Sequence, residues 1–139
     1  MVIYVTRQET FNAAHRMYRE DWSAEENAVV FGKCANPNWH GHNYSLFVTV
    51  KGEVSDETVY LIDLKLLKAI VQEQVIEKLD HKNLNLDVDF IRGKMATTEL
   101  LCIGIFNQLK APIERNAGVF LHSIRLHETE NNSADYFGE

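Results

Sequence analysis

The chain has 139 residues, 45% hydrophobic and 24% charged, which suits one domain with a buried core. Its net charge of −6 gives no basic footprint for nucleic acid, and no apolar run is long enough to span a membrane. The start lacks a signal peptide's charged and apolar regions, and Cys34 and Cys102 make no disulfide framework, so a reducing, cytoplasmic setting is expected.

Val2 to Phe11 alternates as a first strand, and His15 ends that run in Phe11-Asn12-Ala13-Ala14-His15-Arg16. Residues 16–33 are charged and lack periodicity. A long excursion in so small a domain is usually functional, and this one returns Cys34 beside His15. Cys34 lies on a turn built around Asn36-Pro37-Asn38.

His40-Gly41-His42 then stands at the mouth of a second strand, Tyr44 to Gly52. A strand repeats every two residues, so both imidazoles project from one face, and His15 offers a third. Three nitrogen ligands suit zinc, and three rather than four leave a position open for chemistry. Cys34 is a candidate base, because a nearby metal or imidazolium lowers a thiol's pKa.

Asp63 is a good N-cap for an amphipathic helix in which Leu64, Leu67, Ile70, Val71, Val75 and Leu79 share one face. Asp80 to Asp89 reads as a loop with Leu84, Leu86 and Val88 tucked inward. An aspartate next to a histidine, Asp80-His81, has the make-up of an orienter and base serving a thiol. A second helix starts at Thr97 or Thr98 and stops near Lys110, where Pro112 forbids continuation, with Cys102 as a core residue. Gly118 to His127 alternates as a third strand, Asn131-Asn132 turn it, and Ala134 to Phe137 form a short fourth. The order β-β-α-α-β-β makes an α+β domain, a four-stranded antiparallel sheet with two helices on one face and two bare edges.

Five segments appear in order: Phe-x-Ala-Ala-His-Arg, Cys-x5-His-Gly-His-Asn-Tyr, Leu79-Asp80-His81-Lys82-Asn83-Leu84-Asn85, Thr97-Thr98-Glu99 and His127-Glu128-Thr129-Glu130-Asn131. Over nearly the whole chain they resemble the 6-pyruvoyl-tetrahydropterin synthase family, which also includes the 6-carboxy-tetrahydropterin synthases of queuosine synthesis. The resemblance implies the tunnelling fold (T-fold), in which three subunits close a β-barrel and two trimers stack into a homohexamer. It implies zinc on His15, His40 and His42, and proton transfer by Cys34, Asp80 and His81. Glu128 matches the carboxylate that anchors the pterin, and Thr97, Thr98 and Glu99 match a segment lining its pocket.

The implied reaction takes a small-molecule pterin triphosphate, 7,8-dihydroneopterin triphosphate, to 6-pyruvoyl-tetrahydropterin with loss of triphosphate, on the route to tetrahydrobiopterin. The alternative product is 6-carboxy-tetrahydropterin. The five residues between Cys34 and His40, where carboxy-type members typically have three, favour the pyruvoyl branch. A zinc-binding module without catalysis is the rival of a different class. His127 departs from the family's usual tyrosine, and Arg16, Lys33, Lys82 and Arg92 are the cations available for substrate phosphates.

Overall fold

The computed structural model describes residues 1–139. Its frame is a pair of 14-residue strands, β1 (Val2–His15) and β2 (His40–Glu53), antiparallel from Val2↔Glu53 to His15↔His40. Both run further than hydrophobic alternation alone suggests, because the ladder continues through polar residues. There the Asn12 amide donates to Asn43 Oδ1 at 2.7 Å. β4 (Phe120–Thr129) pairs antiparallel with β2, and β5 (Asn132–Tyr136) returns antiparallel beside β4.

The sheet has five strands, not four, in the order β3-β1-β2-β4-β5. The extra strand, β3 (Lys82–Asn83), pairs parallel with Ala13 and Ala14, so the sheet is not purely antiparallel. Two residues are too few to carry a period. They are held instead by docking: the His81 N–H donates to the Asn12 carbonyl at 2.6 Å, and the Asn12 N–H donates to Asp80 Oδ1 at 2.9 Å.

The excursion at residues 16–33 contains a helix that periodicity does not announce, α1 (Ala24–Phe31). Ser23 caps it by accepting from the Glu26 N–H, and Glu25 and Glu26 sit favourably in its first turn. It has no apolar stripe; its one buried residue is Asn27. The Asn27 amide donates to the carbonyls of Arg19 and Ser23 at 2.9 and 3.0 Å and accepts from the Arg19 N–H at 2.8 Å. A 3₁₀ turn (Gly32–Ala35) follows and carries Cys34, whose carbonyl accepts from the Met17 N–H. The order is therefore β-α-β-α-α-β-α-β-β.

α2 (Leu64–Val71) begins at Asp63, whose carboxylate accepts from the Lys65 N–H. It passes through a π-helical turn (Gln72–Ile76) into α3 (Glu77–Leu79), and Leu67, Val71, Val75 and Leu79 are buried while Leu64 is exposed. α4 (Thr98–Glu114) runs past Pro112. The proline sits in the last turn, where it forfeits one N–H bond, and beyond it the Asn116 amide donates to the Ile113 carbonyl at 3.0 Å, one of the carbonyls the helix end leaves free. In the loop after β3, Leu84 and Val88 are buried but Leu86 is exposed.

The helices cover one face of the sheet. Phe11, Leu46, Val48, Ile124 and Leu126 from the strands meet Leu67, Leu101, Ile105 and Leu109 from the helices in a single core. The opposite face carries no helix and holds Tyr4, Thr6, Thr49, His122 and Arg125. Residues 2–11 of β1 have no partner on their outer side, nor does β5. No helix is long and apolar enough to cross a membrane.

Candidate metal centre and its surroundings

The alternation that fills the core also builds the site. On β2 the helix-facing series Val50, Val48, Leu46, Tyr44 continues as His42 and His40, and on β1 Phe11 and Ala13 continue as His15. Gly41 keeps the two strands close, since a Cβ there would lie 3.3 Å from the Ala13 carbonyl oxygen. One ring nitrogen from each of His15, His40 and His42 lies within 4.8 Å of the others.

The protonation pattern favours a cation. His15 Nδ1 lies 2.6 Å from the Ala96 carbonyl, which can only accept, so the proton sits on Nδ1 and Nε2 presents a lone pair. That Nε2 faces His42 Nε2 at 3.1 Å. Burial lowers the pKa of His15, and although the Ala96 bond and the Glu128 charge oppose it, the net shift is downward. His40 is lowered by burial and by the His15 charge. His42 is lowered by burial, against the pull of Glu128. Neutral imidazoles are what a metal needs. Nitrogens held about 2.0–2.1 Å from zinc stand about 3.3 Å apart in a tetrahedral set, close to the 3.1 Å between the His15 and His42 Nε2 atoms. Two side-chain polar atoms are buried without a partner, His40 Nδ1 and Tyr44 Oη, and both belong to this cluster. Such orphans call for a group from outside the chain. The three histidines could hold a metal ion.

Glu128, at the end of β4, leans over the triad. Its Oε1 is 3.6 Å from His42 Nε2 and its Oε2 is 4.0 Å from His15 Nε2. Thr98 Oγ1 donates to Glu128 Oε2 at 2.6 Å. Burial, and then the charge of this carboxylate, raise the pKa of Tyr44, whose ring stacks on Phe11. An open pocket of about 640 Å³ lies alongside, lined by His42, Asn43, Phe47, His127 and Glu128. His127 meets Phe47 edge to face there.

The threonines divide. Thr97 is the α4 N-cap and accepts from the Leu100 N–H, while Thr98 reaches into the site. Glu99 is exposed in the first turn of α4 and makes no hydrogen bond or ion pair.

Asp80 and His81 form a pair on the outside. His81 Nδ1 is 3.1 Å from Asp80 Oδ1, and the imidazole is 82% exposed. His81 adopts a left-handed backbone, φ +60°, which turns it away from a regular strand or helix. The Asn12 N–H, and then His81, hold the Asp80 carboxyl below its usual range. Cys34 is a free, half-buried thiol with no hydrogen bond, so one chain brings His15, His40, His42, Glu128 and Thr98 together but joins neither Cys34 nor His81 to them.

Three features were missed by reading the sequence. The Thr98–Glu128 bond was hidden because threonines before a helix explain themselves as caps. The stacking of Arg16 on Tyr18 and Trp39, at 4.2 and 5.1 Å from guanidinium carbon to ring centroid, has only aromatic residues near an arginine as its signal. Trp39 itself has φ +66°, which no pattern foretells.

Comparisons with known proteins agree with this geometry. The family model described as 6-pyruvoyl tetrahydropterin synthase matches residues 4–139. The 6-pyruvoyl tetrahydrobiopterin synthase of Homo sapiens is 42% identical over 135 residues, covering 97% of this chain and 91% of the relative. That of Dictyostelium discoideum is 42% identical over 137 residues, covering 99% and 97%. The solved structure of Caenorhabditis elegans 6-pyruvoyl tetrahydropterin synthase superposes with a TM-score of 0.92 at 35% identity, covering 100% of this chain and 97% of that one.

Proposed function

The chain belongs to the 6-pyruvoyl tetrahydropterin synthase family, and from that premise we propose that it is a zinc-dependent lyase. It takes 7,8-dihydroneopterin triphosphate to 6-pyruvoyl-tetrahydropterin with loss of triphosphate. The observation that carries this reading is three neutral imidazoles converging beside a carboxylate held by Thr98. Bound by His15, His40 and His42, a zinc ion would supply a Lewis acid for the oxygens of the substrate side chain.

The chain's own groups hold the ring and move the protons. Glu128 offers two oxygens as a fork for the adjacent ring N–H and exocyclic amine of a pterin, with Thr98 fixing one of them. Cys34, as thiolate, removes a proton from a side-chain carbon. Asp80 orients His81 through Nδ1, which leaves Nε2 free to exchange protons with the thiol. Because the imidazole is outward and the thiol unpartnered, a second copy has to bring them together. The open outer sides of β1 and β5 support such pairing, and a homohexamer of two stacked trimers is the assembly we infer.

The test is Cys34→Ala in the zinc-loaded protein, with pterin products identified by mass spectrometry. The variant should keep its zinc and its fold and lose turnover. Retained turnover would remove Cys34 from proton transfer. A carboxy-tetrahydropterin product with acetaldehyde from the wild-type protein would move the chain to the other branch of the family.

A further inference from the structure

We propose that a pocket centred on Arg16 and Trp39, beyond the metal cluster, binds the polyphosphate end of the substrate. This rests on the activity proposed above and assigns residues to the part of the substrate that Glu128 and the imidazoles leave unheld.

The pocket is open, about 520 Å³, and draws Arg16 and Tyr18 from the end of β1, Trp39 from before β2, Asn85 from after β3, and Lys94 and Met95 from before α4. Three of its residues adjoin the triad or its partner Ala96 along the chain. Arg16 follows His15, Trp39 precedes His40, and Met95 precedes Ala96, whose carbonyl accepts from His15 Nδ1. In the sheet order β1-β2-β4, Arg16 follows one neighbour of β2 and Glu128 ends the other. The carboxylate thus comes from the strand on one side of β2 and the arginine from the end of the strand on its other side. A substrate with a ring, a short side chain and a phosphate tail needs that sequence of groups.

Arg16 is built into place yet its donors are unused. Its N–H donates to Asn85 Oδ1 at 3.1 Å and its carbonyl accepts from Asn85 Nδ2 at 3.0 Å, so one amide side chain clamps its backbone. Its guanidinium is stacked by Tyr18 and Trp39, and the side chain is only 18% exposed. No protein group accepts a hydrogen bond from it; the nearest carboxylate oxygen, on the 89% exposed Glu20, is 3.9 Å away. Arg19, by contrast, is engaged by Asp21 at 2.7 Å. A planar guanidinium, oriented by aromatic faces and with free N–H groups, matches phosphate oxygens bidentately. Arg19 and Lys94 add positive charge to the same pocket, against one carboxylate, Glu20, in a chain whose net charge is −6.

Trp39 supplies the independent observation. Its φ of +66° lies where glycine sits without strain and a bulky residue rarely goes. Strain of this kind persists where the side chain serves a site. Here the indole forms one face of the Arg16 stack, directly before a metal ligand.

Calorimetric titration of the zinc-loaded protein with inorganic triphosphate tests the pocket, with dihydroneopterin as the probe that carries no phosphate. Arg16→Gln should weaken triphosphate at least tenfold and leave dihydroneopterin within twofold of wild type. Trp39→Gly, which suits the left-handed backbone, should weaken triphosphate severalfold by freeing the guanidinium. Triphosphate also ligates metal, so the comparison between proteins is decisive. Equal triphosphate affinity in wild type and Arg16→Gln, or an equal loss for both probes, would overturn the proposal. Failure of the wild-type protein to consume dihydroneopterin triphosphate would overturn the activity instead, and the titration would still judge the pocket.

Discussion

Thr98→Val is the most informative single change at the ring anchor. Valine keeps the shape of threonine and removes the hydroxyl that donates to Glu128 Oε2 at 2.6 Å. A hydrogen bond to a charged group contributes about 1.5–3 kcal/mol. The Glu128 side chain is 23% exposed, so water replaces part of the loss, and the lower end applies. A cost of about 1.5 kcal/mol corresponds to roughly tenfold weaker pterin binding. Neopterin affinity, measured by calorimetry on zinc-loaded protein, is the assay, and zinc content should be unchanged. The same substitution in a Glu128→Gln background should cost little, because the oxygen it serves has lost its charge. Unchanged neopterin affinity in Thr98→Val, or the same loss in both backgrounds, would refute the idea that Thr98 acts through Glu128.

Acidification should destabilise the metal-free protein. His15, His40 and His42 have folded pKa values below the usual 6.5, so between those values and 6.5 the unfolded chain binds more protons. Stability is complete above about pH 6.5 and falls as the pH drops below it, and a metal-free midpoint in urea that is flat from pH 7.5 to 5.5 would contradict this. Leu109→Ala, at a fully buried α4 position, should cost about 3 kcal/mol and lower Tm by about 10 °C in a thermal scan. Asn27→Ala leaves the Arg19 N–H without its acceptor, at a cost of about 1–3 kcal/mol, while the Arg19 and Ser23 carbonyls keep the backbone N–H groups of Trp22 and residue 27. It should loosen the excursion, so that Cys34 alkylates faster while zinc content holds; an unchanged alkylation rate would show that α1 does not position the thiol.

The sequence was most legible where a single face does the work. The stripe from Leu67 to Leu79 behind the Asp63 cap identifies α2, and the two-residue period identifies His40 and His42 as partners. It was silent where polar contacts between distant segments decide. α1 is organised by an asparagine rather than a stripe, and β3 exists because Asp80 and His81 dock on Asn12, 68 residues earlier in the case of Asp80. Pro112 misled because a proline in the last turn removes one hydrogen bond but leaves only two further residues to be held, so the helix runs through it to Glu114. The histidine triad could be anticipated from spacing, whereas the closeness of Glu128 to it could not, since alternation within a strand does not say which residue of β4 faces β2, where Ser45 meets His127.

The two unpaired sides of the sheet are unlike each other: one is the long outer side of β1, the other the five-residue β5. In the assembly proposed above, one edge of a chain would meet the other edge of the next, which makes the contact heterologous. Such a contact repeats one rotation with every added copy. If the rotations sum to a full circle, the ring closes and no edge is left. If they miss, growth continues as an open filament. Strand twist, about 20–25° between neighbours, contributes to that rotation, so a substitution that flattens β1 or β5 can change particle size without touching any residue of the site.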